Sequence, residues 1–253
     1  MSMTPMGKPV RPDLLTVFNI LFIGATATLA AMPALVLALW RGRGGATLGG
    51  LSESALWATL LFGWFAFALS VMRPSLFSDD LVSVPYGFLL TFVGGIGVGW
   101  ILIAVHPTVR RRVLEIPLEW PVGLQTARLI GGAFIVWAML GVASWPFALI
   151  AGLGDILVGT TAPFVARAIA RRPARARGWV VAHALLGLAD FVIAFSSAIL
   201  TKADLPWPGQ MIPAFLVPLA IVMHIWVLVA LWRSRDRRAI HKEEPGLSRQ
   251  PQT

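Results

Sequence analysis

Seven long apolar stretches leave this chain few ways to fold; they lie at about residues 14–40, 55–72, 84–105, 124–144, 148–170, 179–201 and 211–232. A helix rises about 1.5 Å per residue, so roughly 20 apolar residues cross a hydrocarbon layer of about 30 Å, and each stretch reaches or approaches that length. Lipid offers no partner for an unpaired peptide group, so only helices or a closed barrel can cross it. None of the stretches alternates polar and apolar residues as a barrel strand does. The expected fold is therefore all-α, a polytopic transmembrane helix bundle of about seven helices. Composition agrees: only 13% of the 253 residues are charged and 57% are hydrophobic, against about a quarter charged in soluble domains.

The basic residues predict the orientation. Sixteen of the 21 Lys and Arg fall in one set of alternate loops: Arg41 and Arg43, Arg110 to Arg112, five between Arg167 and Arg177, and six from Arg233 to Arg249. Four fall in the other set, Lys8, Arg11, Arg73 and Lys202, while Arg128 lies inside a crossing. Positive charge is retained on the cytoplasmic side, so the N-terminus is expected outside and the C-terminus in the cytoplasm. This divides the chain into a short extracytoplasmic tail (1–13), one transmembrane domain (14–232) and a basic, disordered cytoplasmic tail (233–253). The first stretch is too long for a signal core and is expected to remain as a helix. Tryptophans Trp40, Trp57, Trp100, Trp120, Trp145, Trp179, Trp207 and Trp232 fall near the expected ends, where an amphipathic ring prefers the headgroup layer. His106 to Gly123 reads as a cytoplasmic segment able to lie in the interface.

Glycines mark the expected close packing. Gly94, Gly95, Gly97 and Gly99 lie on the third stretch, Gly131, Gly132 and Gly141 on the fourth, and Gly152, Gly154 and Gly159 on the fifth. Small residues let transmembrane backbones approach, so these three helices are expected to form a tight core. The basic clusters lack the interleaved aromatics of a nucleic-acid face, and membrane lipid is the expected partner. With no cysteine, disulfides, iron–sulfur clusters and thiolate metal sites are excluded. None of the three lysines lies in a crossing, which excludes a retinal Schiff base there. No phosphate-binding loop or nucleophile-elbow motif occurs either.

Ionisable side chains inside a bilayer are costly, by about 2.5 to 3.5 kcal/mol on insertion scales, so each invites a functional reading. Counting about 1.5 Å per residue from the cytoplasmic face, Asp155 lies roughly 20 Å deep, Asp190 roughly 16 Å and His224 roughly 11 Å. These three define the candidate binding site, a mid-membrane polar cavity. Arg128 and His183 count as only roughly 6 Å deep, and are expected to line a cytoplasmic vestibule out of reach of Asp155. His183, Gly187, Asp190, Ala194 and Ser197 recur at helical spacing on one stripe, as do Gly152, Asp155, Gly159 and Pro163, so both stripes should face protein. His224 has only apolar neighbours on its own helix face, which makes Asp190 its expected partner across the sixth and seventh helices.

The sequence leaves three readings of function. The leading one is a carrier or proton-coupled permease that handles a small molecule, ion or proton through this cavity. The second is a non-catalytic membrane subunit or scaffold that binds lipid or a partner protein, with the carboxyls fixing helix packing. The third is a membrane-embedded metal-dependent enzyme with a divalent ion on His183, Asp190 and His224; a haem on the two histidines is a minor variant. No cofactor, substrate or oligomeric state is named by any residue pattern.

RLIGGAFIVWAMLGVASWPFALIAGLGDILVGTTAP, running from Arg128 to Pro163, followed by LGLADFVIA and IPAFLVPLAIVMH, resembles a family of small bacterial multi-pass integral membrane proteins that is itself uncharacterised. The resemblance covers about half of the chain, at its C-terminal end. It implies a bacterial inner (plasma) membrane location, and it carries no activity or site residue.

Overall fold

The computed structural model describes residues 12–42, 48–72, 84–105, 107–203, 205 and 207–243. The expected N-terminal tail up to residue 11, the loop with Asp79 and Asp80, His106 and the last ten residues lie outside them. The described residues are helical and contain no strand. In chain order the helices are α1 (Pro12–Gly42), α2 (Leu48–Val71), α3 (Val84–Val105), α4 (Pro107–Glu115), α5 (Glu119–Leu124), α6 (Ala133–Met139), α7 (Trp145–Arg171), α8 (Pro173–Leu200) and α9 (Val217–Glu243). A 3₁₀ segment, Gln125–Gly132, joins α5 to α6, and a π-helical turn, Ile212–Leu216, opens into α9.

Among the described residues, five stretches are long and apolar enough to cross a membrane: Pro12–Met32, Glu119–Met139, Trp145–Arg171, Pro173–Leu200 and Ile212–Arg233. The apolar stretches Ala58–Val71 and Leu90–Val105, within α2 and α3, are shorter. This is a membrane protein built of apolar helices. Its lipid-facing surface is visible on the hairpin of α7 and α8, where Leu153, Leu157, Phe164, Val192, Ile193 and Ile199 are exposed while Ala148, Ala151, Val158 and Ala184 are buried. Large apolar residues point outward and small or polar ones inward, the arrangement expected when lipid is the solvent.

Two boundaries differ from expectation in ways that move the polar residues. The helical run at the stretch expected as the fourth crossing, labelled the fourth span after that expectation, covers Glu119–Met139, about five residues earlier than the apolar count places it, because Trp120 and Pro121 already belong to it. Its end is set by Gly141, which adopts φ 77°. Gly141 and Val142 donate their backbone N–H groups to the carbonyls of Ala138 and Trp137 at 3.0 and 2.9 Å. That is a Schellman closure, and glycine supplies the left-handed conformation it needs. Helix α8 begins at Pro173, ahead of the expected sixth stretch, so Arg175 and Arg177 stand on its first turns and only Arg172 separates it from α7. Proline at the first helical position stops α7 and starts α8, since the residue before it is pushed toward extended backbone. Helix α9 continues to Glu243, past the expected start of the tail at residue 233.

The glycine-guided core is partly redrawn. Gly152 and Gly159 do bring α7 against the fourth span, where an added Cβ would meet Ile135 Cγ1 and the Leu129 nitrogen at 2.9 Å each. The glycines of α3 serve other partners: Gly94 and Gly95 lie under Trp64 of α2, and Gly99 lies under Val222 of α9. Helix α3 therefore packs chiefly on α2 and α9, and meets the hairpin through Phe92, whose ring centroid lies 4.9 Å from that of Phe195 on α8.

The candidate site: a buried arginine between two aspartates

The 3₁₀ segment aims Arg128 into the bundle. Its guanidinium is 6% exposed and lies between the two aspartates of the neighbouring hairpin, Asp155 of α7 and Asp190 of α8, which are 7% and 8% exposed. Nε donates to Asp155 Oδ1 at 2.7 Å, Nη2 donates to Asp190 Oδ2, and Nη1 donates to the carbonyl of Gly187 at 3.2 Å. Cζ stands 3.9 Å from the centroid of the Phe191 ring, so one face of the cation rests on an aromatic quadrupole. A planar fork of donors suits this task, since one side chain can hold two carboxylates and a carbonyl in fixed directions.

Glycines make the space. A Cβ at Gly131 would overlap the Asp155 carboxyl, one at Gly154 would overlap the Asp190 carboxyl, and one at Gly187 would overlap the His224 ring. Each polar side chain thus sits against a backbone with no side chain of its own, which holds the carboxyls in place while the helices stay close. The Gly154–Asp155 pair does both jobs: Gly154 admits Asp190 and Asp155 takes Arg128.

Two histidines lie beside this centre. His183 of α8 and His224 of α9 meet edge to face with ring centroids 5.8 Å apart, and Phe191 stands 6.3 Å from His224. His183 Nδ1 is 3.4 Å from Thr161 Oγ1. The Nε2 atoms of both rings are buried with no hydrogen-bond partner among the described residues. Gln125, one turn before Arg128, is 2% exposed, and neither end of its amide has a partner there. It borders a cavity of about 40 Å³ shared with Arg128, Asp155, Leu29, Met32 and Met223.

The structure corrects the depth argument for Arg128. That residue is not in a cytoplasmic vestibule apart from Asp155; it is bonded to Asp155 and to Asp190 together. The span starts earlier, its centre is wound as 3₁₀ helix with a rise of about 2.0 Å instead of about 1.5 Å, and a long side chain adds further reach. His183 likewise stands ten residues inside α8 and packs on His224 instead of capping a vestibule. The expected pairing of Asp190 with His224 is replaced by Asp190 with Arg128, while His224 rests on Gly187. The stripe of α8 is buried at His183, Gly187, Asp190 and Ser197, whereas Pro163 on α7 is exposed. Among the described residues, no three His, Asp or Glu side chains converge to hold a metal ion, so the grouping of His183, Asp190 and His224 around a divalent ion gains no support. Gln125 was not among the sequence candidates. An uncharged amide in an apolar run carries no charge to flag it, and only its orphaned burial shows its place.

Comparison with known proteins places this geometry in a family without assigning it a role. The family described as a domain of unknown function, DUF8737, matches residues 85–232, which include every polar residue of the site, and the chain belongs to it. No curated protein and no solved structure matches the chain.

Proposed function

We propose that this member of the DUF8737 family is a bacterial inner-membrane protein that takes up and releases a proton at the Asp155–Arg128–Asp190 centre, as part of moving a proton or a proton-coupled solute across the membrane. The observation that carries this reading is a charge count: one guanidinium faces two carboxyls in a site under a tenth exposed. If both carboxyls are ionised, one negative charge is left over, and low-dielectric surroundings do not tolerate an unmatched charge. A proton is the simplest group to balance it, and two buried imidazoles with unpartnered Nε2 atoms, on α8 and α9, lie beside the centre with their ring centroids 5.8 Å apart. Intramembrane carboxyl and histidine groups of this kind are the parts from which proton relays are built.

Infrared spectroscopy of the purified protein tests the count. The wild type should show a carboxylic-acid C=O band at neutral pH that shifts in D2O. Asp190→Asn and Asp155→Asn should each remove it, because one carboxylate then matches one guanidinium. In proteoliposomes carrying a pH-sensitive dye, proton movement should be abolished in Asp190→Asn and in Asp155→Asn alike, since neither keeps the exchangeable carboxylic acid. A wild type with no such band and unchanged proton movement in the Asn variants would sink the reading.

A second reading is favoured by a different observation. Arg128 is held by two carboxylates, a carbonyl and an aromatic face at once, which also suits a staple that ties the fourth span to α7 and α8 in a non-catalytic scaffold. The staple moves no proton across the membrane, so the proteoliposome assay separates the two: a staple shows no wild-type proton movement for the Asn variants to lose.

The topology belongs to the same proposal. Seven crossings with the N-terminus outside are supported by the sixteen-to-four division of basic residues over alternate loops. A cytoplasmic reporter fused after residue 243 should be active and a periplasmic one silent; the reverse pattern would overturn the orientation.

A further inference from the structure

Gln125 presents a problem that the charge count does not solve. Its side chain is 2% exposed, and both its carbonyl and its amino group lack a partner among the described residues. Burying an amide without hydrogen bonds is unfavourable enough that such groups are rare unless something fills the gap. Gln125 borders the cavity of about 40 Å³ that also reaches Arg128 and Asp155, while Leu29, Met32 and Met223 supply apolar walls. At roughly 10 to 15 Å³ per molecule on this measure, the space takes about three waters. The occupant must donate to the Gln125 carbonyl and accept from its amino group. Water does both, and a bare cation cannot.

We propose that the Gln125 cavity binds a cluster of about three water molecules that carries protons to and from Asp155, with Gln125 as the residue that positions them. This rests on the proton-handling reading above and gives it a route. Asp155 Oδ1 is taken by the Arg128 Nε donor, which leaves Oδ2 for exchange. A hydronium in the cluster gives its proton to the Oδ2 carboxylate and remains as water; in release, water accepts the proton and Asp155 returns to carboxylate. The charged and titratable groups around Asp155 are Arg128 of the fourth span, Asp190 and His183 of α8, and His224 of α9; α1 presents only Leu29 and Met32 to the cavity.

The test uses the full chain in detergent or proteoliposomes, transferred rapidly into D2O while the Asp carboxylic-acid band is followed. Gln125→Met fills the same volume without polar atoms and removes an orphaned amide, so its melting temperature should equal or exceed that of the wild type. Its carboxyl exchange should slow by about tenfold, the weight of one strong hydrogen bond in a rate. Gln125→Asn keeps a donor and an acceptor and leaves room for one more water, so exchange should return to near the wild-type rate. Exchange in Gln125→Met as fast as in the wild type would overturn the water cluster while leaving the proton-handling centre standing. Equal slowing in Gln125→Asn and Gln125→Met would overturn it too, since the loss would then follow shape and not hydrogen bonding. A wild type with no exchanging carboxyl removes the centre itself, and the cluster with it.

Discussion

The fourth span has two ends that bury polar atoms in opposite ways. Nine residues after Arg128, Trp137 is fully buried, with Phe18 and Phe22 edge to face and Phe134 tilted against its ring at centroid distances of 5.4, 4.8 and 6.0 Å. Its Nε1 donates to Asn19 Oδ1 at 3.0 Å, and Asn19 Nδ2 donates onward to the Trp207 carbonyl at 3.3 Å. Trp137 and Asn19 thus meet neutral partners, and this network ties α1 to the span and to the turn before α9, while the buried Trp207 Nε1 beyond it has no partner among the described residues. At the other end a cation faces two anions, and Gln125, His183 and His224 keep polar atoms without partners among the described residues. A satisfied network specifies packing; a partly satisfied one with surplus charge leaves positions for protons or water to fill. The same short span thus carries a structural anchor and a candidate reactive centre, and the surplus charge at one end tells them apart.

The largest effect expected from breaking this contrast is at the charged end. Arg128→Met leaves Asp155 and Asp190 facing each other in a buried site without a cation, and should destabilise the fold by about 3 to 5 kcal/mol. A sharp fall in melting temperature and in membrane abundance is the measurable outcome; a variant that melts like the wild type would show that the arginine ties nothing together. A smaller effect is expected at the aromatic end. Trp137→Phe keeps most of the ring contacts and removes the indole donor, which should destabilise by about 1 to 2 kcal/mol. The carboxylic-acid band of the other end should be unchanged. A double-mutant cycle with Asn19→Ala should recover most of that loss as coupling. A Trp137→Phe variant whose carboxyl band changes would mean that the two ends are one unit and that their separation is false.

Much of the architecture was legible along the chain. The positions of Asp155, Asp190 and His183 on inward stripes followed from helical spacing, because lipid-facing positions exclude them. The pairing of charges was not legible. Depth counted in residues from an apolar boundary assumes one rise per residue and a side chain of no length, and Arg128 violates both assumptions.

The sequence by itself determined that this is a membrane protein of apolar helices with a few ionisable groups at depth, because the free energy of placing a side chain in hydrocarbon depends mainly on its own chemistry. The tertiary structure decided which of those groups meet. A 3₁₀ turn, an early start at Glu119 and three glycines that clear the path bring Arg128 to both aspartates and set His224 against Gly187. Such contacts depend on winding, helix crossings and side-chain reach over distances of a few ångströms, and linear spacing carries no record of any of them.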